Sequence, residues 1–110
     1  MPLVENDEHN TIKVYLIVAP SLAAIFGIGT LRWHVVSREI TTGMALGDAL
    51  TIFALNYPEF RKAVFDPTER KLFGTVHLAL NGVIQDPLHK IETELVDGDR
   101  ITIIPAYDSG

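Results

Sequence analysis

Two short and almost uninterrupted apolar segments near the two ends of the chain do most to limit its possible folds. Ile12 to Val18 is rich in β-branched and aromatic residues, and Arg100 to Ile104 follows the tight turn Asp97-Gly98-Asp99. A nearly continuous apolar run is typical of a strand in the middle of a sheet. Pro20 ends the first run. We therefore expect both segments to be strands of one sheet, in a chain whose 110 residues allow one domain.

The residues after the first run predict a short helix and a second strand. Ser21 to Phe26 is expected to form one or two helical turns, closed by Gly27. Leu31 to Arg38 alternates in polarity, which is typical of a half-buried strand. We expect this strand to pair with the first, with Trp33 in the core and His34 on the outward face.

The clearest helix lies in the middle of the chain. An apolar stripe with helical spacing would face the core, and it comprises Leu46, Leu50, Phe53, Ala54 and Tyr57. Asp48 lies in the first turn, where a carboxylate favours the exposed amides, and it forms half a capping box if Ala45 is the cap. Pro58 would open a further turn through Phe60 and Val64.

The remaining strands complete the predicted fold. Thr75 to Leu80 alternates as a third long strand, Asn81-Gly82 predicts a turn, and Val83-Ile84 predicts a short extra strand. The order strand, strand, helix, strand, strand indicates an α+β fold of the β-grasp, or ubiquitin-like, architecture. In this fold a mixed sheet of four to five strands packs on one main helix, and the first and last strands are parallel neighbours. We expect a flexible N-terminal arm over residues 1–10, the β-grasp domain over 11–105 and an extended C-terminal tail over 106–110.

Composition and charge argue against several classes of function. The chain has no cysteine, and therefore no disulfide framework, thiolate metal site or cysteine nucleophile. Its net charge of -5 argues against nucleic acid as a partner and would suit a partner with a basic docking face. The four histidines are scattered without the spacing of a metal site, so we expect no bound metal.

One long uncharged stretch, Val14 to Leu31, has about the minimum length of a membrane-spanning helix. Pro20, Gly27 and Gly29 interrupt it, and it divides into a strand, a short helix and a turn. The residues before it are acidic, whereas those of a signal peptide are basic. We therefore expect a cytoplasmic protein without a membrane partner.

Several motifs resemble the MoaD/ThiS family of sulfur carriers. Leu46 to Leu50 and Asn56 to Arg61 resemble the family's helix, and Val76 to Gly82 resembles its "VNG" strand and turn. Thr93 to Pro105 is similar to the family ending "L-x-D-G-D-x-V-x-I-x-P". The resemblance covers about residues 12 to 110, and it is closer to MoaD than to ThiS because of the longer helix and its "YP" continuation.

The resemblance implies a carrier protein and not an enzyme. A partner adenylyltransferase of the ubiquitin-activating (MoeB/ThiF-like) type would use ATP and Mg²⁺ to adenylate the terminal carboxylate of Gly110. A sulfur donor enzyme would then displace AMP and leave a thiocarboxylate. By the same resemblance, a larger MoaE-like catalytic subunit would bind the tail and take the sulfur for molybdopterin biosynthesis. This chain itself would bind no cofactor stably.

The end of the chain departs from the family pattern. The family ends in Gly-Gly, whereas Ser109 precedes Gly110 here, and Asp108 adds a charge near the reacting end. A side chain at Ser109 narrows the allowed backbone angles. Two alternatives therefore stay open: a ubiquitin-like modifier that is joined to lysines of other proteins, and a β-grasp interaction module that is no longer activated.

The expected partner contacts are the tail and the sheet face next to it. His77, Ala79 and Ile104 would share the face away from the helix, where exposed apolar surface is either a docking patch or ordinary edge packing. The basic pairs Arg61-Lys62 and Arg70-Lys71 are expected to be solvated. The complete predicted contact set is Ile104, Pro105, Ala106, Tyr107, Asp108, Ser109, His77 and Ala79, with Gly110 as the reacting residue.

Overall fold

The computed structural model describes residues 10–26, 32–85 and 91–106, and its strands and helices follow the predicted order with two additions. The elements, in chain order, are β1 (Thr11–Val18), a 3-10 helix (Pro20–Phe26), β2 (His34–Thr41), α1 (Leu46–Asn56), α2 (Pro58–Ala63), β3 (Phe65–Asp66), β4 (Lys71–Leu72), β5 (Val76–Leu80), β6 (Val83–Ile84) and β7 (Arg100–Pro105).

The described strands form a five-stranded mixed sheet in the order β2-β1-β7-β5-β6. The two apolar segments at the ends of the chain, β1 and β7, are parallel neighbours in its centre, with Leu16 beside Ile101 and Val18 beside Ile103. The other pairs, β1 with β2, β5 with β7 and β5 with β6, are antiparallel. This arrangement confirms the predicted β-grasp fold.

One face of the sheet is packed against the helices. Alternate residues of β1 from Val14 to Val18 and of β7 from Ile101 to Ile103 are fully buried on this face, beside the buried stripe of α1. The ring of Phe53 on α1 also lies 6.0 Å from that of Phe60 on α2, at a tilted angle of 48°. The buried side chains that connect the sheet to α1 include Val14, Leu16, Ile101, Ile103, Leu46, Leu50 and Phe53.

The other face of the sheet is not covered by any of the helices in the described part of the chain. Tyr15 and Ile17, which alternate with the buried residues of β1, remain half-buried. The prediction of a central β1 is confirmed, but its continuous apolar run is covered by helices on one side only. A parallel pair usually reads as apolar because both faces are covered. Here the same pattern marks one core face and one apolar outer face.

The second strand begins later in the chain than predicted and its two faces are the reverse of those predicted, so two predictions are wrong. β2 begins at His34, so Trp33 precedes the strand and is 54% exposed instead of lying in the core. His34 is the register partner of Val18. Because directly opposite residues share a face, His34 lies on the helix side of the sheet and not on the outward face.

The start of α1 follows the predicted capping pattern. Ala45 is the N-cap, and its N–H donates to Oδ2 of Asp48 at 2.9 Å, which is the predicted half of a capping box. The N–H groups of Leu46 and Gly47 donate to the carbonyls of Thr93 and Ile91. The loop before β7 therefore satisfies backbone groups that the helix leaves open.

A small hairpin of β3 and β4 was not predicted from the sequence. Asp66 holds its turn by accepting the N–H groups of Thr68 and Glu69 on Oδ1. From this turn the guanidinium of Arg70 lies 3.5 Å from the carboxylate of Asp48 and 4.0 Å from that of Glu92. Arg70 is thus partly buried against α1, and the prediction that it is solvated is wrong.

Candidate functional site

The described part of the chain ends in the middle of the sheet. β7 is paired with β1 from Arg100 to Ile103 and with β5 up to its last residue, Pro105, which lies opposite Val76. The next N–H, that of Ala106, donates to the carbonyl of Thr75 at 2.9 Å. The backbone is therefore anchored up to Ala106. We call Pro105 and Ala106 together the tail root. The predictions for Tyr107, Asp108, Ser109 and Gly110 lie outside the described residues.

The other end of β7 is held by the turn Asp97-Gly98-Asp99. Gly98 has a φ of +90°, which favours glycine, and its N–H donates to the carbonyl of Lys13 at 2.8 Å. Oδ1 of Asp97 accepts the N–H of Lys13 at 2.8 Å. Both bonds fasten the turn to β1, so the turn sets the register of the parallel central pair.

Asp99 is the buried member of this turn, with an exposed fraction of 7%. Its carboxylate accepts the N–H of Val96 at 2.8 Å and the Nδ2 amide of Asn81 at 2.9 Å. Asn81, at a φ of 52°, also accepts the N–H of Arg100 on Oδ1 at 2.9 Å. The β5–β6 turn and the start of β7 are therefore one hydrogen-bonded unit.

The predicted contact residues on the sheet share one face, as expected. His77 lies opposite Ile104 and Ala79 lies opposite Thr102, all on the side away from the helices. His77 is exposed and Ile104 is half-buried, but only 7% of Ala79 is exposed. His77 and Ile104 therefore provide more of the accessible surface near the tail root than Ala79.

A shallow concavity at the opposite end of the same face was not predicted from the sequence. It is lined by Tyr15, Ile17, Val35, Gly98 and Arg100. A neighbouring depression shares Ile17 and Arg100 with it, so the two are adjacent. The alternation of half-buried and buried residues in β1 indicates the open face, but it can be recognised only once the structure shows which face the helices cover.

The part of the chain that the structure describes contains no group of three His, Cys, Asp or Glu side chains that could hold a metal ion. Among the described helices, none combines the length and the apolar character that crossing a membrane requires.

Comparison with known proteins supports both the fold and the family. Residues 34–108 match the ThiS family. No curated protein sequence matches the chain significantly. Among solved structures, small archaeal modifier protein 1 of Haloferax volcanii superposes with a TM-score of 0.67 at 18% identity, over 87% of this chain and 99% of that one.

Two further structures show the same fold at low identity. A Pyrococcus furiosus protein named as molybdopterin converting factor, subunit 1, has a TM-score of 0.65 at 19% identity, over 87% of this chain and 99% of that chain. A chain of the Amycolatopsis orientalis BexX/CysO complex has a TM-score of 0.58 at 19% identity, over 86% and 99%. The family match, which spans more than half of the chain, confirms the resemblance seen in the sequence. The chain belongs to the ThiS family of small ubiquitin-like sulfur carriers and modifiers.

Proposed function

We propose that this protein is a sulfur carrier whose Gly110 carboxylate is adenylated and then thiocarboxylated by partner enzymes. Membership in the ThiS family is the observation that carries this proposal. A free carboxylate is a poor electrophile, so ATP must first convert it to an acyl-adenylate. A sulfur donor then attacks the acyl carbon, AMP leaves, and sulfur remains bound to the terminal carbonyl carbon.

The geometry at the tail root supports this role. Residues 107–110 follow directly on Ala106, whose N–H is fixed to Thr75. The sheet thus fixes the point from which residues 107–110 continue, which suits a carrier that delivers its terminal carboxylate to another protein's active site. The carrier then has no need of a catalytic group of its own, because the adenylyltransferase supplies ATP and Mg²⁺ chemistry.

The proposed sulfur acceptor is a precursor of molybdopterin, and the receiving partner is a larger MoaE-like subunit. The sequence is closer to MoaD than to ThiS in its longer helix and "YP" continuation at Tyr57-Pro58. The Pyrococcus furiosus neighbour is named as a molybdopterin converting factor subunit, and the Amycolatopsis orientalis chain belongs to a complex. Both names support a carrier that works with partner proteins.

A direct test is to incubate the purified chain with ATP, Mg²⁺, a sulfur donor and the adenylyltransferase of the MoeB/ThiF type from the same genome. We expect intact-protein mass spectrometry to show the mass gain of one sulfur in place of one oxygen. The chain without Gly110 is the control: it should gain no sulfur, yet melt at almost the same temperature, because the pairing of β7 is complete at Pro105.

A second candidate function, attachment to other proteins, has support in the name of the Haloferax volcanii neighbour, a small archaeal modifier protein. Both functions begin with the same acyl-adenylate and differ in the group that attacks it. An isopeptide bond between Gly110 and a lysine, found by peptide mass spectrometry, would favour the modifier. Absence of any product with every activating enzyme of the same cell would favour a plain interaction module and contradict our proposal.

A further inference from the structure

The open face of the sheet differs in charge from the chain as a whole. The protein has a net charge of -5, but this face carries Lys13 and Arg100, with Glu39 as the carboxylate opposite Lys13 in the register. The nearby aspartates of the β7 turn direct their carboxylates to backbone N–H groups, those of Lys13 and Val96. Among the described strand residues, this face therefore carries two basic side chains and one carboxylate, with the two turn aspartates bonded at its end.

The concavity at the start of β7 combines an apolar floor with this basic character. Ile17 and Val35 are register partners on neighbouring strands, and 54% of Val35 is exposed. Arg100 stands at the edge, and within the described ranges no carboxylate lies within ion-pair distance of its guanidinium. The backbone of Arg100 is fixed on both of its polar groups by Asn81. The site is therefore held by main-chain bonds and does not depend on the arginine side chain for its shape.

This concavity is separate from the tail root. Pro105 is the fifth residue after Arg100 in β7, which corresponds to about 17 Å along an extended strand. A partner that holds the tail root at one end of the sheet would still cover this concavity if its interface has an ordinary size.

We infer that the concavity formed by Tyr15, Ile17, Val35, Gly98 and Arg100 is a second docking point, which takes a protein segment with an apolar side chain next to a carboxylate. The apolar side chain fits the exposed surface of Ile17 and Val35, and the carboxylate pairs with Arg100. This inference rests on the proposed function, since it describes a partner of the carrier. It also reverses the expectation from net charge: the partner's docking face is acidic at this point and not basic.

The test uses nuclear magnetic resonance of the ¹⁵N-labelled full chain and a defined probe, the peptide acetyl-Asp-Leu-Asp-Leu-Asp-amide. We expect shifts of the amide signals of Tyr15, Ile17, Val35, Gly98 and Arg100. Arg100→Glu should weaken binding roughly 5- to 10-fold, because repulsion replaces attraction, and added salt should weaken binding to the unaltered chain. Arg100→Gln serves as a milder variant should the charge reversal disturb the fold.

Arg61→Glu on the exposed side of α2 is the matched control, because it changes the charge equally at a distant site. It should leave the affinity unchanged, and the peptide with Asn in place of each Asp should bind weakly. The chain without Gly110 should bind the peptide normally, so this inference and sulfur transfer can fail independently.

Three results would overturn the inference. One is an absence of shifts at the concavity; another is equal binding of the acidic and neutral peptides. The third is evidence that another part of the protein, or a second copy of it, already covers the concavity before peptide is added. Signal changes that depend on protein concentration would assign it to a second copy, and changes on deletion of residues 1–9 would assign it to the chain's own acidic segment.

Discussion

Asp97 and Asp99 look equivalent in the sequence but differ in the bonds that they make. Asp97 accepts one N–H at the exposed surface, whereas Asp99 is buried and accepts both the Val96 N–H and the Asn81 amide. Both residues are aspartates in the same turn, so they differ mainly in burial and in the number of hydrogen-bond donors that each accepts. The pair therefore offers a matched comparison of an exposed and a buried hydrogen-bond acceptor.

We predict that Asp99→Ala lowers the free energy of unfolding by about 3 kcal/mol, because two donors lose a charged acceptor in a buried site. Asp97→Ala should cost about 0.5 to 1 kcal/mol, since water can replace its exposed bond. Urea denaturation followed by circular dichroism measures both. Equal losses in the free energy of unfolding for the two variants would show that the burial of Asp99 does not strengthen its hydrogen bonds.

Gly47 is favoured by close neighbours and not by its backbone angles. A Cβ at this position would lie 2.5 Å from Nη2 of Arg70 and 3.2 Å from the carbonyl oxygen of Ile91. Alanine is normally the better helix former by up to about 1 kcal/mol. The position of Arg70 therefore decides whether that gain is realised.

We predict that Gly47→Ala changes the stability of the unaltered protein little, because displacing Arg70 offsets the gain in helix propensity. In an Arg70→Ala background, the same substitution should stabilise the protein, but by less than about 1 kcal/mol, because the close contact with the carbonyl oxygen of Ile91 remains. A double-mutant cycle by urea denaturation measures this coupling. Additive effects would mean that the arginine moves aside without loss.

At the level of single elements, α1 has an incomplete N-cap. Ala45 has extended backbone angles, φ -87° and ψ 167°, but no side-chain oxygen to accept the N–H of Asp48. Asp48 supplies the other half of the capping box. A hydroxyl at position 45 would complete the reciprocal pair.

We therefore predict that Ala45→Ser raises the free energy of unfolding by about 0.5 to 1 kcal/mol. Ala63→Ser, in the exposed last position of α2, is the control and should be neutral or slightly destabilising. Thermal unfolding by calorimetry would detect the difference. A loss of stability on Ala45→Ser would indicate that the loop of residues 91–95, which pairs with this region, leaves no room for the hydroxyl.

The elements that the sequence predicted well are those with a long periodic pattern or a distinctive turn. The stripe of α1 and the turn at Asn81-Gly82 are examples, because helical spacing and a left-handed pair are local signals. The β3–β4 hairpin was missed because its strands are two residues long. Trp33 was misplaced because alternation gives two faces but does not say which one meets the helix.

At the level of the whole molecule, the same ambiguity prevented prediction of the concavity at the start of β7. A β-grasp fold and two central strands follow from the order of elements, since few topologies accommodate it. Tyr15 and Ile17 belong to an apolar run that gives no sign of an open side. Only the register of β1 with β2 and β7 brings Ile17, Val35 and Arg100 together from three distant segments. Chemistry that depends on such pairing is not encoded in any local motif.

The end of the chain gives the last prediction, and it concerns activation and not stability. Ser109 stands where the family has glycine, and its Cβ restricts the backbone next to the carboxylate that we propose is activated. We predict that Ser109→Gly raises the initial rate of Gly110 adenylation, measured as pyrophosphate release with the partner adenylyltransferase. Ser109→Ala is the matched control: it keeps the Cβ without the hydroxyl and should stay as slow as the unaltered chain. If alanine were as fast as glycine, the hydroxyl would be the obstacle; if glycine were slower, Ser109 would be adapted to the partner's channel.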